Sequence, residues 1–228
     1  MSLQVKKLED FILVGSAHSG WDLVQNMYGM YIRVTETSGE QESNMNIAIH
    51  ADNWGWNRLR GTQLGYAPFE DAIGHWSLVK AQEDGVHSKW NRIRIKRDYK
   101  DVLTQLWRQH SPTISFDEFL DTDMGLPMVE EFEQAARSLD YAFEFRYEDL
   151  VESPQQVLTD VIYHCAPRWD SQLEKLIDIN AIDHVIQESG VRELRAGPTG
   201  SNLEKVGVYA EWITPEQATR IDAFLGTL

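Results

Sequence analysis

A short apolar run that ends at a glycine and leads into a helical pattern is the feature that most constrains this chain. Residues 11–14 read Phe-Ile-Leu-Val, the run stops at Gly15, and beyond Gly20 apolar side chains recur at helical spacing. These recurring residues are Leu23, Val24, Met27, Tyr28 and Tyr31. A buried strand, a glycine-bounded loop and an amphipathic helix make the first half of a βαβ unit. The segment therefore predicts a parallel sheet with helices packed against it.

Strand and helix signals continue to alternate along the chain. Strands are predicted at residues 46–50, 78–80, 93–97 and 142–147. Helices are predicted at residues 102–107, from Ser115, from Pro154, around Ile182 and from Thr214. Residues 53–74, rich in Trp, Gly and Asn, are predicted to form a long loop. We expect one domain, residues 1–228, with a single, mainly parallel sheet flanked by helices.

The charge balance argues against polyanionic partners. The chain carries 21 Lys and Arg against 36 Asp and Glu, a net charge of −15. Such a surface repels phosphate backbones and anionic lipid head groups, so we expect neither nucleic acid nor a membrane as partner. Residues 1–10 lack the apolar segment of a signal peptide, and the single cysteine cannot form an internal disulfide. We expect a cytoplasmic protein without a structural metal.

Residues 15–20 have the two-glycine frame of a phosphate-binding loop. In such a loop, main-chain N–H groups and the start of the following helix hold an anion. The lysine and hydroxyl residue of ATP-binding loops are replaced by Trp21 and Asp22. This replacement disfavours an ATP-hydrolysing enzyme or a nucleotide kinase. A tight turn that holds no ligand is the structural alternative.

Arg97 stands at the end of a predicted strand, directly before a predicted helix. Ligands of parallel sheets bind at the carboxyl ends of the strands, where a guanidinium can hold a phosphate through two hydrogen bonds. The alternative is a structural ion pair with one of three nearby acids. These are Asp98, Asp101 and Glu148.

Five parts of the chain resemble sulfotransferases that depend on 3′-phosphoadenosine 5′-phosphosulfate (PAPS). Residues 15–20, G-S-A-H-S-G, resemble the P-[KR]-S-G-T-T loop that holds the 5′-phosphosulfate, and residues 95–102 resemble the R-[ND]-P-[KR]-D-V element whose arginine binds the 3′-phosphate. Residues 146–154, R-Y-E-D-L-V-E-S-P, are similar to the family's Y-E-D-L-x-x-x-P segment. Residues 195–200 and 205–209 each resemble the R-K-G-x-x-G-D-W loop, which also reaches the phosphates.

The resemblance implies a P-loop NTPase-like α/β fold and metal-free transfer of a sulfuryl group from PAPS. The acceptor would be a hydroxyl or amine of an unidentified small molecule or glycan. The donor-binding positions that it implies are Gly15, Ser16, Ala17, His18, Ser19, Gly20, Trp21, Asp22, Arg97, Gln105, Arg195, Gly197 and Lys205.

The loop departs from the family pattern at three positions. His18 replaces the basic residue that stabilises charge on the leaving phosphate oxygen, and we predict that it is catalytic if bound phosphates keep its imidazole protonated. Trp21 and Asp22 replace two threonines. An ionised Asp22 near a phosphate would weaken donor binding, although a carboxylate in the first turn of a helix is also favoured by the helix dipole.

The position of the family's catalytic histidine is occupied by Gln82, which cannot take a proton from an acceptor. We predict His50, after the second predicted strand, as the replacement base. The alternatives are Asp52, His75 and Glu83. The missing histidine and the altered loop leave a second hypothesis open, a sulfotransferase-like nucleotide-binding protein that has lost turnover.

Overall fold

The computed structural model describes residues 11–16, 18–36, 61–65, 91–137, 140–165, 177–194 and 205–228. Its strands are β1 (Phe11–Gly15), β2 (Gly61–Gly65), β3 (Asn91–Lys96) and β4 (Phe143–Arg146). They form one sheet in the order β2-β1-β3-β4, and every neighbouring pair is parallel. The predicted α/β fold with a single parallel sheet is confirmed.

The parallel register brings the carboxyl ends of the strands to one edge of the sheet. Val14 of β1 lies opposite Arg94 of β3, and Lys96 at the end of β3 lies opposite Arg146 at the end of β4. The segments that follow these three strands therefore emerge side by side. Chain segments far apart in sequence meet at this edge.

Strand β2 corrects one prediction, because it lies inside residues 53–74, which were expected to form a loop. Its sequence, Gly-Thr-Gln-Leu-Gly, has two glycines and one large apolar residue, so its intrinsic strand preference is low. It pairs along its whole length with β1, from Phe11 opposite Gly61 to Gly15 opposite Gly65. Main-chain pairing with a neighbouring strand outweighs the weak local preference. The strands predicted at residues 46–50 and 78–80 lie outside the described residues.

Helices follow the strands and connect them. They are α1 (Trp21–Glu36), α2 (Tyr99–His110), α3 (Phe116–Leu120), α4 (Leu126–Arg137), α5 (Tyr147–Glu152), α6 (Pro154–Cys165), α7 (Ile179–Glu188) and α8 (Pro215–Leu225). Two short 3-10 helices, Val191–Leu194 and Val208–Glu211, lie between α7 and α8. The predicted helix starts at Ser115 and Thr214 are confirmed, because both residues form complete capping boxes.

The helices build two apolar clusters. The first joins α1, α6 and α7 to the sheet through the buried residues Val24, Met27, Tyr31, Ile93, Ile95, Val161 and Val185. The second joins α2, α3, α4 and α8 through the buried residues Leu103, Leu106, Phe119, Val129 and Ile221. Within the described ranges, no helix has the length and apolar character that crossing a membrane requires.

Candidate functional site

In the turn between β1 and α1, the serine side chains pack tightly against the main chain of the turn itself. Ser16 and Ser19 are 3% and 0% exposed, and the Ser19 N–H donates to the Ser16 carbonyl oxygen at 3.1 Å. A Cβ atom at Gly15 would collide with the Ser19 side chain and would lie 3.4 Å from the Ile95 carbonyl oxygen. Glycine is therefore required here by close approach of the chain.

The hydroxyl of Ser19 is buried, and its Oγ has no hydrogen-bond partner among the described residues. A buried hydroxyl without a hydrogen bond is uncommon, because nothing replaces the hydrogen bonds to water that it loses on burial. Ser19 lies two residues before α1, where main-chain N–H groups and the helix dipole favour negative charge. The chemistry of this turn fits a bound phosphate.

His18 has an unusual backbone conformation and an altered acidity. Its φ of 57° lies in the left-handed region, which non-glycine residues seldom adopt. Burial, the positive charge of Arg97 and the nearby His110 together lower the pKa of His18 to about 4. The imidazole is therefore neutral at pH 7 in the free protein.

The guanidinium of Arg97 lies beside this turn and links it to two other segments. Arg97 is 6% exposed; its Nη1 donates to the His18 carbonyl oxygen at 2.8 Å and its Nη2 to the Lys205 carbonyl oxygen at 3.2 Å. Its Cζ lies 4.3 Å from the centre of the Tyr147 ring. The predicted loop and the predicted phosphate-binding arginine are thus in direct contact.

Tyr147 is a site residue that the sequence analysis did not single out. It is the first residue of α5 and is 2% exposed, and its ring packs against Arg97 and Gly20. Gly20 has a φ of 89°, and a Cβ atom there would overlap the Tyr147 ring. Tyr147 directly follows β4, the neighbour of β3, and this place in the sheet is the signal that could have identified it.

Asp101 on α2 fixes the turn that carries Lys205. Its carboxylate is fully buried and accepts hydrogen bonds from the N–H groups of Gly207 at 2.7 Å and Tyr209 at 3.0 Å. Burial raises the pKa of Asp101, although both hydrogen bonds and Arg97 oppose this rise. Gly207 has a φ of 73°, so the turn needs the left-handed conformation that glycine allows.

The two other acids considered as partners of Arg97 have main-chain partners of their own. The Glu148 carboxylate accepts from the Asp98 N–H at 3.1 Å, and the Asp98 carboxylate caps α2 by accepting from the Lys100 N–H at 2.9 Å. These contacts fix the start of α2 directly after Arg97. They thereby hold in place the segment between β3 and α2, which carries the Arg97 guanidinium.

The remaining predicted site residues fall into three groups. Gln105 lies on α2 and is 1% exposed. Trp21 and Asp22 begin α1, but their side chains lie outside the described part of the chain. Also outside it lie Ala17, His50, Asp52, His75, Gln82, Glu83, Arg195 and Gly197. Among the described residues, no group of three or more His, Cys, Asp or Glu could hold a metal ion.

Comparison with known proteins points to one fold. No protein-family model and no curated protein matches the chain. Among solved structures, the chain is similar to the crystal structure of mouse sulfotransferase SULT7A1 complexed with PAP, at a TM-score of 0.53 and 14% sequence identity. The match covers 95% of this chain and 82% of the mouse chain. The chain therefore has a sulfotransferase-like α/β fold.

Proposed function

We propose that this protein is a sulfotransferase that binds PAPS at residues 15–20 and Arg97. It would transfer the sulfuryl group to a hydroxyl or amine of a small-molecule or glycan acceptor. The observation that carries the proposal is the convergence, at the carboxyl edge of the sheet, of the Arg97 guanidinium and the buried Ser19 hydroxyl, which has no partner within the described ranges. The likeness of the fold to a sulfotransferase crystallised with PAP supports the same assignment.

The proposed roles follow from the charges that the donor carries. The N–H groups of the turn and the Ser19 hydroxyl would hold the 5′-phosphate, and Arg97 would hold the 3′-phosphate. PAPS supplies an activated sulfuryl group. In the transfer the acceptor atom forms a bond to sulfur, the bond from sulfur to the 5′-phosphate oxygen breaks, and the acceptor proton passes to a general base, for which His50 is the predicted residue. The Ser19 hydroxyl and the N–H groups of the turn would stabilise the charge left on the 5′-phosphate.

A second candidate is a nucleotide-binding protein of this fold without turnover, and the lowered pKa of His18 favours it. A neutral imidazole adds no positive charge at the leaving oxygen. A phosphate bound beside His18 would raise its pKa, because a nearby negative charge favours the protonated form. The two candidates therefore differ in the charge of His18 when the nucleotide is bound.

Calorimetric titration tests the nucleotide site. We expect 3′,5′-adenosine bisphosphate to bind at least about tenfold more tightly than AMP or ATP, since one charged hydrogen-bonding pair contributes roughly 1.5–3 kcal/mol. Arg97→Ala should abolish this preference, and Arg97→Lys, which keeps the charge, should reduce it. Arg220→Ala is the matched control, because the side chain of Arg220 is 38% exposed and pairs with the exposed carboxylates of Asp117 and Asp121.

Two results would contradict the nucleotide site: a 3′-phosphate that adds no affinity, or a preference that survives in a folded Arg97→Ala variant. Circular dichroism of each variant establishes that it is folded. Incubation with sulfur-labelled PAPS and a panel of hydroxyl and amine acceptors then separates the two candidates. Labelled product supports the sulfotransferase, whereas tight nucleotide binding without product supports the binding protein.

A further inference from the structure

Two histidines from distant segments lie side by side at the candidate nucleotide site. The ring centres of His18, in the turn after β1, and His110, the last residue of α2, are 6.4 Å apart, and the ring planes are tilted by 31°. Arg97, just before α2, contacts the same histidine, because its Nη1 donates to the His18 carbonyl oxygen at 2.8 Å. Contacts with His18 are thus made both before the start of α2 and at its last residue.

The two imidazole rings differ in their exposure. His18 is half-buried, whereas His110 is exposed at the end of its helix. Under the proposed function the donor lies against the main chain of the turn, and the acceptor has to reach it from solvent. An exposed ring beside the turn is open to such an acceptor. His110 is therefore placed where a side chain can touch the acceptor.

The separation of the two rings suits the two ends of an in-line transfer. His18 occupies the position that the resemblance places at the leaving phosphate oxygen. In a reactive complex the acceptor atom lies about 3–3.5 Å from the atom that it attacks, and a general base lies about 3 Å beyond the acceptor atom. A base is therefore roughly 6 Å from the sulfur. The ring of His110, centred 6.4 Å from that of His18, has a matching separation.

The end of α2 that carries His110 is held firmly in place. The Trp107 Nε1 donates to the Ile114 carbonyl oxygen at 2.9 Å, and its ring meets that of Phe116 edge to face at 5.3 Å. The Ser111 N–H closes the helix by donating to the Trp107 carbonyl oxygen at 2.9 Å. A side chain on a fixed helix is positioned more precisely than one on a loop. The place of His110 beside the turn is therefore a built feature of the fold.

The acidity of the two histidines distinguishes their chemistry. Partial burial lowers the pKa of His110, so its imidazole is neutral at neutral pH and able to accept a proton. The His18 imidazole is a poor base, because its pKa is about 4 and a base works best when its pKa lies near the working pH. This leaves His110 as the proton acceptor of the pair.

We propose that His110 is the catalytic residue that takes the proton of the sulfuryl acceptor, in place of His50. This inference rests on the proposed function. The acceptor oxygen or nitrogen forms its bond to sulfur as the bond from sulfur to the 5′-phosphate oxygen breaks, and the acceptor proton moves to a ring nitrogen of His110. Because the ring is exposed, the proton then passes to water.

His110→Gln tests this role, because glutamine is polar but takes up no proton. Turnover would be measured with sulfur-labelled PAPS and two phenols. Phenol itself, whose pKa is close to the value of about 10 for tyrosine, keeps its proton in weakly alkaline buffer. With phenol, kcat should fall about 100-fold or more. The acceptor 4-nitrophenol is ionised in the same buffer and has no proton to lose, so both proteins should sulfate it at nearly the same rate.

Two controls accompany the variant. Affinity for 3′,5′-adenosine bisphosphate, measured by calorimetry, should be the same for His110→Gln and the parent protein, since the proposed role concerns the acceptor alone. His184→Gln, at an exposed position of α7, should keep full turnover of both phenols. Any other acceptor that reacts through an un-ionised hydroxyl or amine should show the same loss as phenol.

Three results would overturn the proposal. Equal losses with both phenols, or no loss with either, would remove proton transfer from the functions of His110. A tenfold or larger loss of nucleotide affinity would assign its ring to the donor. Loss of phenol turnover in a folded His50→Gln variant, with full turnover in His110→Gln, would favour His50 as the base.

The same assays separate this inference from the proposed function. If the parent protein binds the nucleotide and sulfates 4-nitrophenol and phenol, and His110→Gln does so equally well, only the role of His110 is wrong. If the parent protein sulfates no acceptor, the proposed function fails and the role of His110 fails with it. A loss confined to acceptors that carry a proton supports both proposals.

Discussion

The Nη1 atom of Arg97 donates a hydrogen bond of 2.8 Å to the carbonyl oxygen of His18, a residue 79 positions earlier in the chain. This bond stabilises the turn in a conformation with a left-handed residue at its centre. The guanidinium thus shapes the turn in addition to any role towards a ligand. The geometry of the candidate site depends on a single buried cation.

We predict that Arg97 and Tyr147 are energetically coupled. In a double-mutant cycle of Arg97→Met and Tyr147→Leu, measured by urea unfolding, the coupling energy should be about 1–2 kcal/mol, because the cation lies over the ring away from water. Arg108 and Trp212, 4.0 Å apart but only partly buried, form the matched pair and should couple more weakly. A coupling energy near zero between Arg97 and Tyr147 would show that their stacking contributes nothing to stability.

Ser19→Ala should weaken nucleotide binding without lowering the stability of the protein. Because the Ser19 hydroxyl has no partner in the part of the chain that the structure describes, its removal should leave the free energy of unfolding unchanged or raise it by up to about 1 kcal/mol. Affinity for 3′,5′-adenosine bisphosphate should fall about tenfold. Ser115→Ala, which removes a helix cap, should instead cost about 1 kcal/mol of stability and leave affinity unchanged. A Ser19→Ala protein with unaltered affinity would exclude this hydroxyl from the site.

Gly20→Ala should be more destabilising than Gly190→Ala, although both glycines have positive φ values, of 89° and 68°. At Gly190 a Cβ atom meets no described residue within 4 Å, so the cost is backbone strain of about 1 kcal/mol. At Gly20 the Cβ atom also overlaps the Tyr147 ring, and the total should reach about 3 kcal/mol. Chemical denaturation of both variants measures the difference, and equal losses would mean that the ring moves aside freely.

His18 should make stability depend on pH in the acid range. Its pKa in the folded protein, about 4, lies below the ordinary value of 6.5, so between these values the unfolded chain binds a proton that the folded one does not. Stability should therefore fall as pH decreases from 6.5 towards 4, by up to about 1.4 kcal/mol per pH unit. His18→Asn, which tolerates positive φ, should flatten this slope in urea titrations.

Binding of the nucleotide should also shift the protonation equilibrium of His18. If a phosphate beside His18 raises its pKa, the complex takes up a proton, and affinity increases as pH falls towards 4. Calorimetry in two buffers of different ionisation enthalpy measures this uptake. Proton uptake that persists in His18→Asn would assign it to another group.

The turn after β1 and Arg97 could be predicted because both signals are local. An apolar run ending at Gly15 and a strand ending at Arg97 each place a residue at a strand end, and parallel pairing then brings the two ends together. The capping boxes at Ser115 and Thr214 are equally local. Each of these features is encoded within a few neighbouring residues.

Other features depend on contacts that a local pattern does not contain. Strand β2 is stabilised by main-chain pairing with β1, whatever its side chains prefer. Asp101 and Tyr147 belong to the site through contacts with distant segments. The Gly207 N–H donates to the Asp101 carboxylate, and Gly20 lies against the Tyr147 ring. Burial of Arg94 depends on Glu133 of α4, which no strand pattern can reveal.

Arg97 receives its partners from the turn at His18, from Tyr147 and from Lys205. During synthesis on the ribosome, the turn is made early, whereas the carbonyl of Lys205 follows 108 positions after Arg97. A nascent chain interrupted before that point would hold an arginine side chain still lacking one of its buried acceptors. Ligand recognition should consequently be acquired only after Lys205 has been synthesised and has reached Arg97.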